Sequence, residues 1–338
     1  MTLEETLNTK KLSKEQIVFL LSLEDQKQIE KLFCRADVIR KKYCGDEVHL
    51  RGIIEISNCC EQDCLYCGIR KSNINLNRYR MTVKEILETV GKINGAGIKT
   101  IVLQSGEDHF YSRDLITKLI LTIKEKYDTA ITLSLGERGG DEYDEWKKAG
   151  ADRYLLKHET ANEQLYTEYH HQEYLKSRIA HIKYLKSIGF QTGSGNIIGL
   201  PGQTLEDIAE DIILCKELNC DMCSFSPFIP SNETPLRNVP PAKLEITLKT
   251  MAVARIVLKD VHIPATTALA TLHSNGRELG LKAGANVIMP NFTPSGYREK
   301  YQIYENKSRA DYNIENNLKE IKDLVLRSGR SVAIGKGH

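Results

Sequence analysis

From residue 49 onward, short β-rich runs alternate with longer amphipathic runs, and this alternation restricts the possible folds more than any other feature. The β-rich runs fall near 50–56, 99–104, 130–135, 152–157, 191–198, 222–228, 262–267 and 285–289. Helical patterns fall between and after them, near 82–95, 112–126, 141–149, 175–188, 204–218, 242–258 and 273–282. Thr82 with Glu85, and Thr204 with Asp207, read as helix starts. Gly97, Gly150, Gly189 and Gly284 each precede a strand, as helix-ending glycines do. Eight strands with helices between them predict an α/β chain closed into a full parallel (β/α)8 barrel of the TIM type. Ahead of it, apolar spacing over Ile17, Leu20, Leu21, Ile29, Phe33 and Val38 predicts helices, with a capping box at Ser13 and Gln16. The chain thus divides into an N-terminal helical extension (1–48), the barrel (49–292) and a more polar C-terminal tail (293–338) expected to close the barrel. The tail carries one helical pattern near 314–327.

An apolar content of 41% supports an ordinary buried core, and the net charge of +2 comes from interspersed acids and bases. That pattern argues against a nucleic-acid-binding stripe or an acidic-membrane surface. No apolar run reaches the ~18 residues of a membrane span. The opening Met1-Thr-Leu-Glu-Glu5 does not resemble a signal peptide, and nine cysteines then fit a reducing cytoplasm better than a disulfide framework.

Three of those cysteines stand together in Cys60-Glu-Gln-Asp-Cys64-Leu-Tyr-Cys67, directly after the first barrel strand. Three close thiolates can hold three irons of a cubane 4Fe–4S cluster, leaving the fourth iron open to an outside ligand. Zinc sites usually take four ligands in two pairs, and no second C-x2-C or H-x3-H pair follows at zinc spacing. Other unusual residues fall repeatedly after the predicted strands, where parallel barrels collect their chemistry. These are Gln104-Ser-Gly-Glu-Asp108, Ser134-Leu-Gly-Glu137, His158-Glu-Thr160, Gly199-Leu-Pro-Gly-Gln203, Pro227-Phe-Ile-Pro230, Thr266-Thr267 and Met289-Pro-Asn291. Their common register predicts one large site facing the cysteines. His109 and His158 read as structural. Cys215-x4-Cys220-x2-Cys223 resembles part of a ferredoxin pattern, yet its helix face and strand position read as apolar core.

The C-x3-C-x-aromatic-C form resembles the radical S-adenosylmethionine (SAM) superfamily. The resemblance implies that SAM chelates the open iron through its amino and carboxylate groups and is cleaved reductively to a 5'-deoxyadenosyl radical. An oxygen-sensitive cluster of this kind suits an anaerobic cell and needs an electron-donor protein. Ser105-Gly-Glu107 matches the segment that meets the SAM amino group, a charge-assisted contact. Glu159 is placed to accept from the ribose hydroxyls, Arg178 to hold the carboxylate, and Tyr66 to face adenine. Gly195-Asn-Ile197-Ile-Gly199 resembles the segment passing beside adenine, where missing side chains permit close approach.

Further runs narrow the resemblance to the HydE-type maturases of iron–iron hydrogenase, related to biotin synthase. They include Arg78-Tyr-Arg-Met81, Ala149-Gly-Ala-Asp-Arg-Tyr-Leu-Leu-Lys-His-Glu-Thr160, Ile263-Pro-Ala-Thr-Thr-Ala268, Gly284-Ala-Asn-Val-Ile-Met-Pro-Asn291 and Tyr297-Arg-Glu-Lys-Tyr-Gln-Ile-Tyr304. This family implies a monomer acting in assembly of the hydrogenase di-iron subsite (the H-cluster). Its substrate would be a small iron–cysteine complex delivered by a partner maturase. By the same resemblance, Ser134, Thr266, Thr267 and Ala268 form an anion-binding end. Arg153 and Lys157 add positive charge, and Tyr301 and Tyr304 close the cavity. Lys157 stands where the family commonly has arginine, which changes the contact from a planar fork to a point charge. Some relatives carry a C-terminal cysteine triad for a second cluster. No cysteine follows Cys223 here, so no second iron–sulfur cluster is expected. Two other readings compete: an enzyme of the biotin synthase and methylornithine synthase group acting on a small organic substrate, and a non-catalytic iron–sulfur carrier.

Overall fold

The computed structural model describes residues 2–170, 173–307 and 313–337. Its strands are β1 (Glu47–Leu50), β2 (Gly52–Ser57), β3 (Thr100–Ser105), β4 (Ala130–Ser134), β5 (Arg153–Leu155), β6 (Gln191–Ile198), β7 (Met222–Pro227), β8 (Val287–Ile288) and β9 (Ser331–Val332). β2 to β7 form a six-stranded parallel sheet in chain order, and β8, β1 and β9 form a second, three-stranded one. Every residue of β2 is buried, as expected of a parallel strand covered on both faces. The expected helices are present at Val83–Gly95, Arg113–Lys126, Gly140–Lys148, Leu175–Ser187, Leu205–Glu217, Leu244–Leu258, Gly276–Lys282 and Ile314–Arg327. Thr82 and Thr204 form capping boxes with Glu85 and Asp207. In the N-terminal extension, Lys14–Leu21 packs on Leu205–Glu217, and Gln26–Cys44 packs on Leu244–Leu258. Among the described residues no helix is long and apolar enough to cross a membrane.

The eight continuous strands of one closed barrel are not what the ladders show. The run expected at 262–267 forms no strand, and the last expected strand shrinks to the two residues of β8. Single parallel bridges stand in their place, Met222 to His262, Pro264 to Val287 and Ile53 to Asn291. The local reason is chemical. Pro264 has no N–H to give, and the N–H of Ile263 donates to the Asn286 side chain at 2.9 Å instead of continuing a ladder.

The tail also divides. Tyr301, Ile303, Tyr304 and Lys307 reach the cavity at the carboxyl ends of the strands. Residues 331–337 lie at the opposite end, where β9 pairs with β1. Arg153 belongs to that opposite end, and its expected place among the anion-binding residues is corrected. It is fully buried, and its guanidinium donates to Gln191 Oε1 at 2.6 Å and to the carbonyls of Lys336 and Gly337 at 2.7 Å each. Four residues of extended chain, about 13 Å, separate it from Lys157, which does line the cavity.

The same end holds His49 and His262 in edge contact, 5.0 Å between ring centroids. Burial, then the nearby Arg51, pushes His49 down to about 4 and His262 down to about 2. Both folded values lie below the ordinary ~6.5 of an unfolded histidine, so the unfolded chain binds more protons once pH drops below that. Stability from these groups is therefore complete above about 6.5 and lost progressively as pH falls towards 4. Urea midpoints measured at pH 7.5, 6 and 5 are expected to fall, and to fall less in His262→Gln. Parallel declines in both proteins would refute the assignment.

Candidate active site

A cavity of about 350 Å³ opens at the carboxyl ends of the strands. Cys60, Cys64, Tyr66, Cys67, Ser105, Glu107, Ser134, Lys157, Glu159, Arg178, Ile197, Thr266, Thr267, Ala268, Tyr301 and Tyr304 all line it. Of the residues that the resemblance assigns to SAM or the substrate, Arg153 and Gly195 do not. Of the strand-end runs, Asp108, Glu137, His158, Thr160, residues 199–203, Pro230 and Asn291 also lie outside the lining. Gly195 is in the wall behind Ile197, at a φ of +143°, where an added Cβ would meet the Ser224 carbonyl oxygen at 2.0 Å. Only glycine fits that approach of β6 to β7.

The cysteine loop has little regular structure, so side chains hold it. Arg78 reaches under it and donates to the carbonyls of Asn58, Ile69, Arg70 and Asn73 at 2.6 to 3.1 Å. Asp63 takes both nitrogens of Arg70 at 2.7 and 2.6 Å and also binds Ser72, which holds its carboxyl well below the usual range. The N–H of Gly68 donates to the Ile303 carbonyl at 2.8 Å and ties the loop to the tail. The N–H of Leu65 donates to the Tyr169 carbonyl at 2.9 Å.

The thiols fit a thiolate-bound iron–sulfur cluster. Cys60, Cys64 and Cys67 share one cavity wall, and the donor set is soft and sulfur-only. The backbone N–H of Glu107 points at Cys60 Sγ at 3.4 Å, the kind of hydrogen bond that tunes cluster potential. Burial, then the neighbouring Cys60, pushes the Cys67 thiol up to about 12, and burial raises Cys60 and Cys64 as well. Three half-buried thiols on one wall, each raised by burial and two of them also by neighbouring thiols, resist becoming anions together unless a cation joins them, so metal loading would release protons. Gly106 keeps this wall thin, since a Cβ there would meet the Cys59 carbonyl oxygen at 2.2 Å.

The charged residues around the thiols are fixed in advance. Glu107 accepts from Gln62 Nε2 at 2.7 Å and from the Glu137 N–H at 2.8 Å. Arg178 pairs through Nε with Glu137 Oε1 at 2.7 Å, and the same nitrogen donates to Tyr166 OH at 3.1 Å. Arg178 therefore has an acidic partner already, and it is no free surface residue. Tyr66 OH meets His170 Nε2 at 2.8 Å, and the His170 ring stacks on Tyr166 at 3.9 Å. Burial pushes His170 down to about 4, leaving a neutral ring. Lys157 Nζ donates to Glu159 Oε2 at 2.7 Å. Glu159 holds a φ of +63°, a left-handed conformation uncommon for a residue with a Cβ. The strain is locked in by backbone bonds to Gly195 and Ile197, and such strain concentrates at functional sites.

The sequence reading missed a buried ion pair in the cavity wall, Lys307 with Glu55. Both side chains are under a tenth exposed, and Lys307 also lies over the Tyr301 ring, 4.2 Å from its centroid. A signal was available in the lone glutamate of the apolar run Ile53-Ile54-Glu55-Ile56. Tyr301 is itself held by Gln104 Nε2 at 3.1 Å. Of the histidines, His158 is fully buried against Ser194, and His109 is half exposed, 4.0 Å from Glu61. Cys215, Cys220 and Cys223 are buried core as expected, and their sulfurs lie within 4.8 Å of one another.

Known proteins match this arrangement. The profile of the Radical SAM superfamily matches residues 54–215. The chain is 49% identical over 303 residues to the FeFe hydrogenase maturase subunit HydE of Thermotoga maritima, spanning 90% of this chain and 87% of that protein. It is 28% identical over 326 residues to 3-methylornithine synthase of Methanosarcina acetivorans, covering 96% and 90%. A crystal structure of methylornithine synthase superposes with a TM-score of 0.84 at 25% identity, covering 98% of this chain and 97% of that one. Close identity along nearly the whole length, with the cysteine triad at the cavity wall, establishes that the chain belongs to the HydE-type hydrogenase maturases, a branch of the radical SAM enzymes.

Proposed function

We propose that the cavity binds SAM beside a small iron–cysteine complex, or a related small molecule, during assembly of the FeFe-hydrogenase di-iron subsite. The observation that carries this reading is the convergence of the cysteine triad, Glu107, Glu159 and Arg178 on one cavity. A 4Fe–4S cluster held by Cys60, Cys64 and Cys67 would supply the electron for reductive cleavage of SAM. Glu107, oriented by Gln62 and the Glu137 N–H, accepts from the SAM ammonium. Arg178, braced by Glu137 and Tyr166, offers its remaining N–H groups to the carboxylate. Ser105 supports the ammonium contact, Glu159 takes the ribose hydroxyls, and Tyr66, Gly195 and Ile197 frame adenine. Ser134, Thr266, Thr267, Ala268 and Lys157 face the anionic parts of the second ligand, with Tyr301 and Tyr304 covering it.

The reading extends to the whole molecule. The two sheets and their bridges act as one (β/α)8 barrel between the 1–48 extension and the 293–338 tail. The protein works as a cytoplasmic monomer, takes electrons from a donor protein and meets other hydrogenase maturases transiently. It carries no second iron–sulfur cluster.

Reduced, reconstituted protein given SAM is expected to release methionine and 5'-deoxyadenosine or an adenosyl adduct. Arg178→Ala is expected to weaken SAM binding by about tenfold or more, the scale of a lost charge-assisted pair, with iron content unchanged. Equilibrium binding of SAM checks it, and unaltered affinity would remove Arg178 from the site.

A further inference from the structure

Cys215, Cys220 and Cys223 are used by nothing described so far. Cys215 lies in the helix Leu205–Glu217 and faces the sheet, Cys220 follows in the turn, and Cys223 is the second residue of β7. The chain reverses between them at Asn219, which adopts a φ of +49°, and the N–H of Cys220 donates to the Cys215 carbonyl at 3.1 Å. This reversal brings the three sulfurs within 4.8 Å of one another, with Cys215 and Cys223 fully buried and Cys220 only 6% exposed. His158 lies one contact away. Its Nδ1 meets Ser194 Oγ at 2.9 Å, Ser194 is the residue opposite Cys223 in the β6–β7 ladder, and the buried His158 Nε2 faces Asp211 Oδ1 at 3.4 Å.

We propose that Cys215, Cys220 and Cys223 form a second metal site, holding a single thiophilic divalent ion of the zinc class through three thiolates, with a water or other small ligand that enters with the ion in the fourth position. The size decides between one ion and a cluster. At Zn–S distances of ~2.3 Å, thiolates on one tetrahedral ion lie about 3.8 Å apart. Sulfurs within 4.8 Å need only small side-chain rotations to reach that separation. A multinuclear cluster spreads its thiolates over different irons, farther apart than this trio stands. Apolar packing alone accounts for each buried cysteine singly, but not for the meeting of three from a helix, a turn and a strand. The ion would tie the end of Leu205–Glu217 to the start of β7, and burial means that it enters as the chain folds.

The test uses the full-length Cys60→Ser/Cys64→Ser/Cys67→Ser protein, which silences the first triad, produced anaerobically with cobalt(II) replacing zinc(II) in the medium. Bound cobalt at about one equivalent is expected, with an intense thiolate-to-cobalt band that zinc(II) discharges on refolding. Adding Cys223→Val to the same protein is expected to remove the band. No band in a natively folded protein, or a band that survives Cys223→Val, overturns the site. Should the substituted chain misfold, the unsubstituted holoprotein gives a separate reading. Zinc retained at about one per chain after chelation of its iron supports the site, and zinc-free protein from zinc-replete cells overturns it. Neither result depends on SAM cleavage.

Discussion

Cys64→Ala is expected to lower SAM cleavage by at least roughly a thousandfold, the scale on which losing an indispensable catalytic group is felt. The physical reason is the count of thiolates. Three protein sulfurs leave one iron of a cubane open, and two would leave a second iron without a protein ligand. The fold should survive, because Cys64 sits in a loop whose position depends on Arg78, Asp63 and Asn58 rather than on its own packing. Substitutions of that kind usually cost within about 1 kcal/mol. Iron and sulfide content, released 5'-deoxyadenosine and a thermal melt measure the three quantities separately. Cleavage at the parental rate would remove the cluster from Cys64.

Gly68→Ala should act on the tail and not on the thiols. A Cβ at residue 68 would stand 2.2 Å from the Gln302 carbonyl oxygen and 2.7 Å from Ser231 Oγ. The first obstacle is backbone, so the tail must move as a unit, losing the bond from Gly68 N–H to the Ile303 carbonyl. Overpacking of this sort costs about 1–3 kcal/mol. If the cost falls on docking of residues 301–307, the undocked population rises roughly 5- to 150-fold. Trypsin should then cut at Lys300 and Lys307 faster by a similar factor. The parent is protected because Tyr301 is buried and Lys307 is paired with Glu55. Oxygen should bleach the cluster faster in the same variant. Unchanged digestion would mean that the loop yields instead of the tail.

The parts of this molecule that follow local rules could be read from its sequence. Parallel strands such as β2 and β3 advertise themselves by continuous apolar runs, and the capping boxes at Thr82 and Thr204 need only four residues each. Residues at strand ends were legible because register along a parallel strand follows from where the strand stops. Arg153 shows the limit of that logic. It begins its strand, so the same extended geometry sends it to the far end. The seventh and eighth strands were overcalled because their pairing is interrupted by Pro264 and by the Asn286 side chain, events that no β-propensity records. Lys307 and Glu55 are 252 residues apart, and only the folded chain brings them together. The cysteine trio was visible as spacing, but its convergence depends on the left-handed turn at Asn219.

The Lys307–Glu55 pair carries a kinetic consequence. Burial pushes the Lys307 ammonium below its ordinary value, with Glu55 opposing that shift. Separating two such partners leaves a charge without solvent or counter-ion, an unfavourable state visited rarely. Undocking of residues 301–307 is thereby made costly, and amide hydrogens in this segment are expected to exchange more slowly in the parent than in Glu55→Gln.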